Sequence, residues 1–237
     1  MKIDVTDPAE FKRLLEALVY ELIDANDYFR LHQDLNAAIP DYQVEFNQSA
    51  AFWTFTTRAL MDAALIRLCR AYDPLDSKPN LTLRNFLDTI QAYLHFFDEP
   101  NFRERLKANP FVDSLAAAPR KPDATQLQKD LVAVSSADPS VKKLITWRHM
   151  YFAHRSRSSA LNLGVFTTQN FFPFAEIKTL IDNGLRIVNF YSGLFSAESH
   201  TSFPVKDYKH LLDAVRRDLE KQTAESKRRL STWRSGS

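Results

Sequence analysis

Along most of the chain apolar residues recur at three- and four-residue intervals, the spacing that gathers them on one face of an α-helix. Leu14, Leu15, Leu18, Val19, Leu22 and Ile23 form such a stripe and predict a first helix over 8–37. Asp7-Pro8 supplies its cap and first-turn proline, and Pro40 follows its end. A second long helix is predicted over 43–72 from Phe46, Ala50, Trp53, Phe55, Leu60, Ala64, Leu68 and Ala71, with Asp73-Pro74 as its stop. A third, over 83–97, carries Leu83, Phe86, Leu87, Ile90, Tyr93, Leu94 and Phe97 and takes Thr82 as its cap.

The span 98–122 is broken by Pro100, Pro110, Pro119 and Pro122 and predicts an irregular insertion with a short helix near 101–107. A short helix follows over 124–134. Asp138-Pro139 repeats the cap-plus-proline signal and opens a helix over about 139–157. A loop containing Gly164 then has room for a short extended piece around Leu163–Phe166. Pro173 opens a helix to about Ala197, built on Phe174, Ile177, Leu180, Ile181, Leu185, Val188 and Tyr191. Pro204 precedes a last helix over 205–230, and Ser231–Ser237 is expected to fray. No internal repeat interrupts this order. The expectation is an all-α, up-and-down helical bundle forming a single domain over 1–237, with an extra C-terminal helix.

Composition agrees with that expectation. Four glycines in 237 residues are too few for a fold rich in tight β-turns. An apolar share of 45% with 25% charged residues is ordinary for a folded chain. The single cysteine, Cys69, excludes an internal disulfide and a cysteine-based zinc site, and its neighbours Ala64, Leu65, Ile66 and Leu68 mark it as a buried thiol. Met1-Lys2-Ile3-Asp4-Val5 lacks the apolar core of a signal peptide, and no run approaches the roughly 18 apolar residues of a membrane helix. A cytoplasmic protein without membrane attachment is expected.

Charge is uneven although its net value is only +2. Residues 1–64 hold eleven acids against five bases. Between Pro139 and Ala175 there is no acid, while Lys142, Lys143, Arg148, Arg155 and Arg157 are basic. The stretch from Lys206 to Arg234 carries nine bases and five acids. Such basic stretches suit a phosphate-bearing partner, or else form solvated faces.

The helix over 139–157 contains one residue at odds with its position. With Val141 as the origin, Leu144, Ile145 and Phe152 fall within about 60° of it, and Arg148 within about 20°. A guanidinium in an apolar stripe must find acceptors. Either a buried acid such as Asp62 or Asp88 satisfies it, or it faces a cleft and meets phosphate, which its planar fork matches. His154 lies about 120° from Arg148 on an ideal helix, on the side of Trp147, Met150 and Tyr151. The two converge on one substrate only if the helix is distorted or a second chain contributes.

The segment Trp147-Arg148-His149-Met150-Tyr151-Phe152-Ala153-His154-Arg155 resembles the signature of the HEPN superfamily (higher eukaryotes and prokaryotes nucleotide-binding): an arginine, a polar residue, a few variable residues and a histidine near the end of a long helix. Its Ala-His-Arg ending, with Leu65–Asp73 and Leu81–Leu87 upstream, is similar to the abortive-infection U-type branch. The resemblance covers roughly 10–200. It implies a HEPN-type bundle that dimerises with its motifs facing one another, and a metal-independent endoribonuclease active in defence or as a toxin. RNA is the implied substrate, a homodimer the implied state, and an antitoxin protein a further partner, since a toxic nuclease needs restraint. No cofactor and no metal are implied.

In that reading His154 transfers protons, because its unperturbed pKa lies near neutrality, and Arg148 stabilises charge. His149 and Tyr151 orient substrate, and Lys142, Arg155 and Arg157 hold backbone phosphates. Two other readings stay open. One is a catalytically inactive module that binds nucleotide or RNA or only dimerises. The other is a regulatory bundle in which Arg148 is locked in a salt bridge.

Overall fold

The computed structural model describes residues 1–73, 79–149, 171–202 and 206–235. Ten α-helices, and no strand, are found among the described residues. They are α1 (Pro8–Ala38), α2 (Gln43–Asn47), α3 (Ala50–Ala71), α4 (Leu83–Ala92), α5 (Glu99–Arg105), α6 (Val112–Ala116), α7 (Ala124–Ala133), α8 (Pro139–Trp147), α9 (Phe174–Ser196) and α10 (Tyr208–Ser235), with a 3-10 turn at Leu94–Phe97. The all-α expectation holds. The extended piece expected near Leu163–Phe166 lies outside the described residues.

The caps read from sequence are present. The Asp7 carboxylate accepts from the backbone N–H of Glu10 at 2.8 Å, which holds its pKa below the ordinary carboxylate range. Thr82 accepts from Asn85 N–H at 3.1 Å, and Asp138 from Ser140 and Val141 at 2.8 and 3.1 Å.

Three boundaries differ from expectation. The helix expected over 43–72 is two helices, because Gln48 and Ser49 bond back to Glu45 and Phe46 in tight i→i+3 turns. The helix expected over 83–97 ends at Ala92, where Tyr93 N–H is shared between the Thr89 and Ile90 carbonyls and a 3-10 turn takes over. The last helix persists to Ser235 where fraying was expected from Ser231.

The chain forms two compact units, one of residues 1–26 and 63–202, the other of 27–62 and 203–237. In the first unit the core centres on Phe11, fully buried and ringed by Phe86, Phe96, Phe97 and Phe195 at centroid distances of 4.8–6.0 Å. The α1 stripe Phe11, Leu15, Leu18, Leu22 and Ala25 is buried throughout. Gly184 of α9 admits the close approach of α1 and α3: a Cβ there would lie 2.7 Å from a Leu22 methyl and 3.4 Å from the Tyr72 hydroxyl. The Asp130 carboxylate of α7, also buried, accepts from Arg186 (2.7 Å), Tyr191 (3.0 Å) and Gln126 (3.0 Å), so the charge it brings inside is satisfied.

The proline-broken span 98–122 is held by two arginines that answer the C-terminal carbonyls of α9. Arg105 donates to Phe195 O (2.8 Å) and Phe96 O (2.7 Å), lies 3.9 Å above the Phe195 ring, and has its pKa lowered to about 10 by burial. Arg120 donates to Gly193 O at 2.9 Å and to Leu115 O. α9 then closes on Ala197 at φ 55°, a left-handed position that usually takes glycine.

In the second unit Leu35, Ala38, Phe46 and Leu212 form the buried core, with Leu31, Tyr42, Trp53, Leu60 and Tyr208 packed against it. Arg216 of α10 pairs with Glu45 of α2 at 2.5 Å, and Tyr42 donates to Asp213 at 2.8 Å.

Two stability predictions follow from this packing. Phe11→Ala empties the centre of the first unit's aromatic cluster and should cost about 3–5 kcal/mol in urea unfolding, while Phe55→Ala, on a side chain 68% exposed, should cost under about 1 kcal/mol. Equal losses from the two would contradict this core. Ala197→Gly should raise stability by about 0.5–1 kcal/mol, since it relieves a left-handed Cβ at little other cost. An unchanged or lowered Tm would show that Ala197 carries no such strain.

Candidate functional site

The site is built where the end of α3 runs beside α8. Cys69 and Asp73 stand four residues apart on and just past α3, and Leu144 and Arg148 stand four apart on and just past α8. The Cys69 thiol lies 3.8 Å from the Leu144 carbonyl, and one turn further on Arg148 Nη2 meets Asp73 Oδ2 at 2.9 Å. Two contacts at the same helical step clamp the segments together. The buried Tyr72 hydroxyl donates to Leu180 O of α9 at 2.6 Å and ties the end of α3 to a third helix.

Arg148 therefore has an acid partner, but neither acid named from sequence. Asp62 lies 3.9 Å from Arg58, and Asp88 binds the N-terminal amine at 2.8 Å. From sequence Asp73 reads only as a helix stop, at the end of the Leu65–Asp73 segment. The Asp73 side chain is 10% exposed and that of Arg148 is 23% exposed, so the pair sits at the margin of the interior, with the guanidinium on its outer side. A guanidinium carries five N–H donors in a planar fork, more than one carboxylate takes up.

The backbone at 148–149 widens into π-type geometry after α8. π-type turns interrupt the regular 100° step and are found frequently at functional sites. The angular separation drawn for an ideal helix thus does not carry across Arg148. His149 is exposed beside it, and Lys142 is exposed nearly two turns earlier. Tyr151, His154, Arg155 and Arg157 lie outside the described residues. Lys143 is engaged elsewhere, bound by Glu176 at 2.7 Å near the Phe172 ring.

Cys69 sits against this pair without taking part in nucleophilic chemistry. Burial pushes its thiol up to about 12; the Arg148 charge pulls it down and the Asp73 charge pushes it up, both less strongly. Among the described residues no group of three or more histidine, cysteine, aspartate or glutamate side chains is arranged to hold a metal ion, and no helix is long and apolar enough to cross a membrane. Native protein at pH 8 should accordingly react with iodoacetamide far more slowly than urea-unfolded protein, with mass spectrometry following Cys69. Matching rates would place the thiol at the surface and undo the clamp described above.

No curated protein and no solved structure is significantly similar to this chain. A family model described as AbiU2, of the HEPN type, matches residues 8–221. That range runs from the first residue of α1 into α10 and includes the clamp of α3 on α8, and the chain belongs to the AbiU2 family of HEPN proteins.

Proposed function

We propose that this protein is a metal-independent endoribonuclease whose site is completed by a second copy of the chain, with Arg148 and His154 as its catalytic groups. One observation carries the reading. The arginine of the HEPN-like motif is held by Asp73 at the edge of the first unit, aimed by a carboxylate yet still reaching solvent. Family membership supports a nuclease, RNA-binding or abortive-infection role. A cytoplasmic setting and restraint by an antitoxin protein complete the proposal.

The chemistry asks little of the protein beyond positioning. RNA carries its own nucleophile, the 2′-hydroxyl. Its oxygen attacks the adjacent phosphorus, the P–O5′ bond breaks, and the products are a 2′,3′-cyclic phosphate and a 5′-hydroxyl. One proton leaves the 2′-oxygen and one arrives at the 5′-oxygen, and His154 serves these transfers because imidazole titrates near neutrality. Arg148 stabilises the charge that builds on the non-bridging oxygens. His149 and Tyr151 orient the substrate, while Lys142, Arg155 and Arg157 bind flanking phosphates.

A second reading has an observation of its own. The Asp73–Arg148 pair is also what a purely structural arginine would show. On that reading the chain is a binding or dimerisation module and Arg148 holds α8 in place.

Wild-type protein and the Arg148→Ala, His154→Ala and Asp73→Asn variants, incubated with a mixed RNA pool in EDTA, separate the two. For the nuclease we expect cleavage by wild type with cyclic-phosphate ends, and losses of about 100-fold or more in Arg148→Ala and His154→Ala at unchanged dimer mass and near-native Tm. Asp73→Asn should lower the rate less. No cleavage by any form, with a Tm that collapses in Arg148→Ala, would establish the structural reading instead.

A further inference from the structure

The C-terminal part of α10 is unlike the rest of the fold. Up to Leu219 the helix is anchored in the second unit: Leu212 is fully buried, Tyr42 binds Asp213, and Arg216 binds Glu45. From Glu220 to Trp233 every side chain that the structure describes is exposed. Helices normally owe most of their stability to burying an apolar face, and this segment buries none. The family match stops at residue 221, at the head of this segment.

Its charge is one-sided. Residues 221–235 contain Lys221, Lys227, Arg228, Arg229 and Arg234 against the single acid Glu225. Two large apolar side chains stand out in this basic field, Leu230 at 62% exposure and Trp233 at 76%. On a regular helix Trp233 and Leu230 lie about 60° apart, with Arg229 about 40° to one side of Trp233 and Lys227 about 60° to the other side of Leu230. An exposed indole flanked by cations is the arrangement that takes single-stranded nucleic acid: bases stack on the ring while the cations track the backbone. A second copy of the same segment would meet like charge. A lipid surface needs a broad apolar face, and Leu230 and Trp233 give only a narrow one over four turns.

We propose that residues 221–235 form an RNA-binding arm, in which Lys227, Arg228 and Arg229 contact backbone phosphates and Trp233 stacks on a base. The proposal rests on the reading that this protein's substrate is RNA, and extends it to a grip carried on the second unit.

The test uses the full chain and a fluorescein-labelled 2′-O-methyl RNA of about 20 nucleotides, which lacks the attacking hydroxyl and so reports binding alone. Anisotropy titrations across a KCl series, in EDTA, compare wild type with Lys227→Gln/Arg228→Gln/Arg229→Gln and with Trp233→Ala. All these positions are exposed on a helix that glutamine tolerates well, and circular dichroism checks the fold. Losing three phosphate contacts should weaken binding by at least about tenfold at low salt and flatten the plot of log K against log salt by about 2, at roughly 0.7 per contact on a single strand. Trp233→Ala should weaken binding about fivefold or more with little change in that slope.

Unchanged affinity and slope in the triple variant would overturn the arm. So would binding of the wild type to anionic phosphatidylserine vesicles but not to RNA, or a change in sedimentation mass with no change in RNA affinity. If the triple variant loses RNA binding while no form of the protein cuts RNA, the arm stands and the nuclease reading falls. If cleavage by the wild type is intact and the triple variant binds as the wild type does, the arm falls and the nuclease reading stands.

Discussion

A guanidinium cannot sit on an apolar helix face without an acceptor, and the arrangement of the first unit around α8 follows from how Arg148 is satisfied. Its partner, Asp73, comes from the first residues after α3, so α3 must end at one particular height along α8. Three further contacts set that height: the Cys69 thiol on Leu144 O, the Tyr72 hydroxyl on Leu180 O, and the space at Gly184 that lets α9 approach α1 and α3. The arginine's direction is thereby tied to the packing of several helices, and is not left to a flexible side chain.

The same pairing changes what the charge pattern means. The stretch from Pro139 to Ala175 has no acid in sequence, yet in space two of its five bases meet acids from elsewhere, Lys143 on Glu176 and Arg148 on Asp73. Lys142, four residues from the Asp138 cap of α8, remains exposed. Linear charge density therefore overstates the positive potential of this segment. At the C-terminal end of α10 the described side chains from Glu220 to Trp233 are exposed, in line with the polar, basic sequence there.

How much could be read in advance divides along a physical line. Helix existence, the caps at Asp7, Thr82 and Asp138, and the burial of Cys69 are local matters of spacing and capping, and the chain states them directly. The conflict at Arg148 was legible too, since one residue on one helix face suffices to reveal it. Its resolution was not, because an ion-pair partner is chosen by tertiary packing, and Asp73 looks from sequence like any aspartate before a proline. The Glu45–Arg216 pair, 171 residues apart in sequence, was hidden for the same reason. The four prolines of 98–122 were visible, whereas the long-range bonds of Arg105 and Arg120 to the end of α9 were not.

The ion pair also limits what one chain can do at this site. Asp73 and Arg148 together carry no net charge, so a phosphodiester gains from them direction and hydrogen-bond donors, but little long-range attraction. On the proposed reading, attraction must come from other cations: Lys142, Arg155 and Arg157, the C-terminal arm, and the matching residues of a second copy. A carboxylate that fixes the guanidinium and cancels its charge makes a selective site only when those other cations assemble with it. On that reading a second copy doubles the cations available to the site, a physical reason for such a nuclease to act as a dimer.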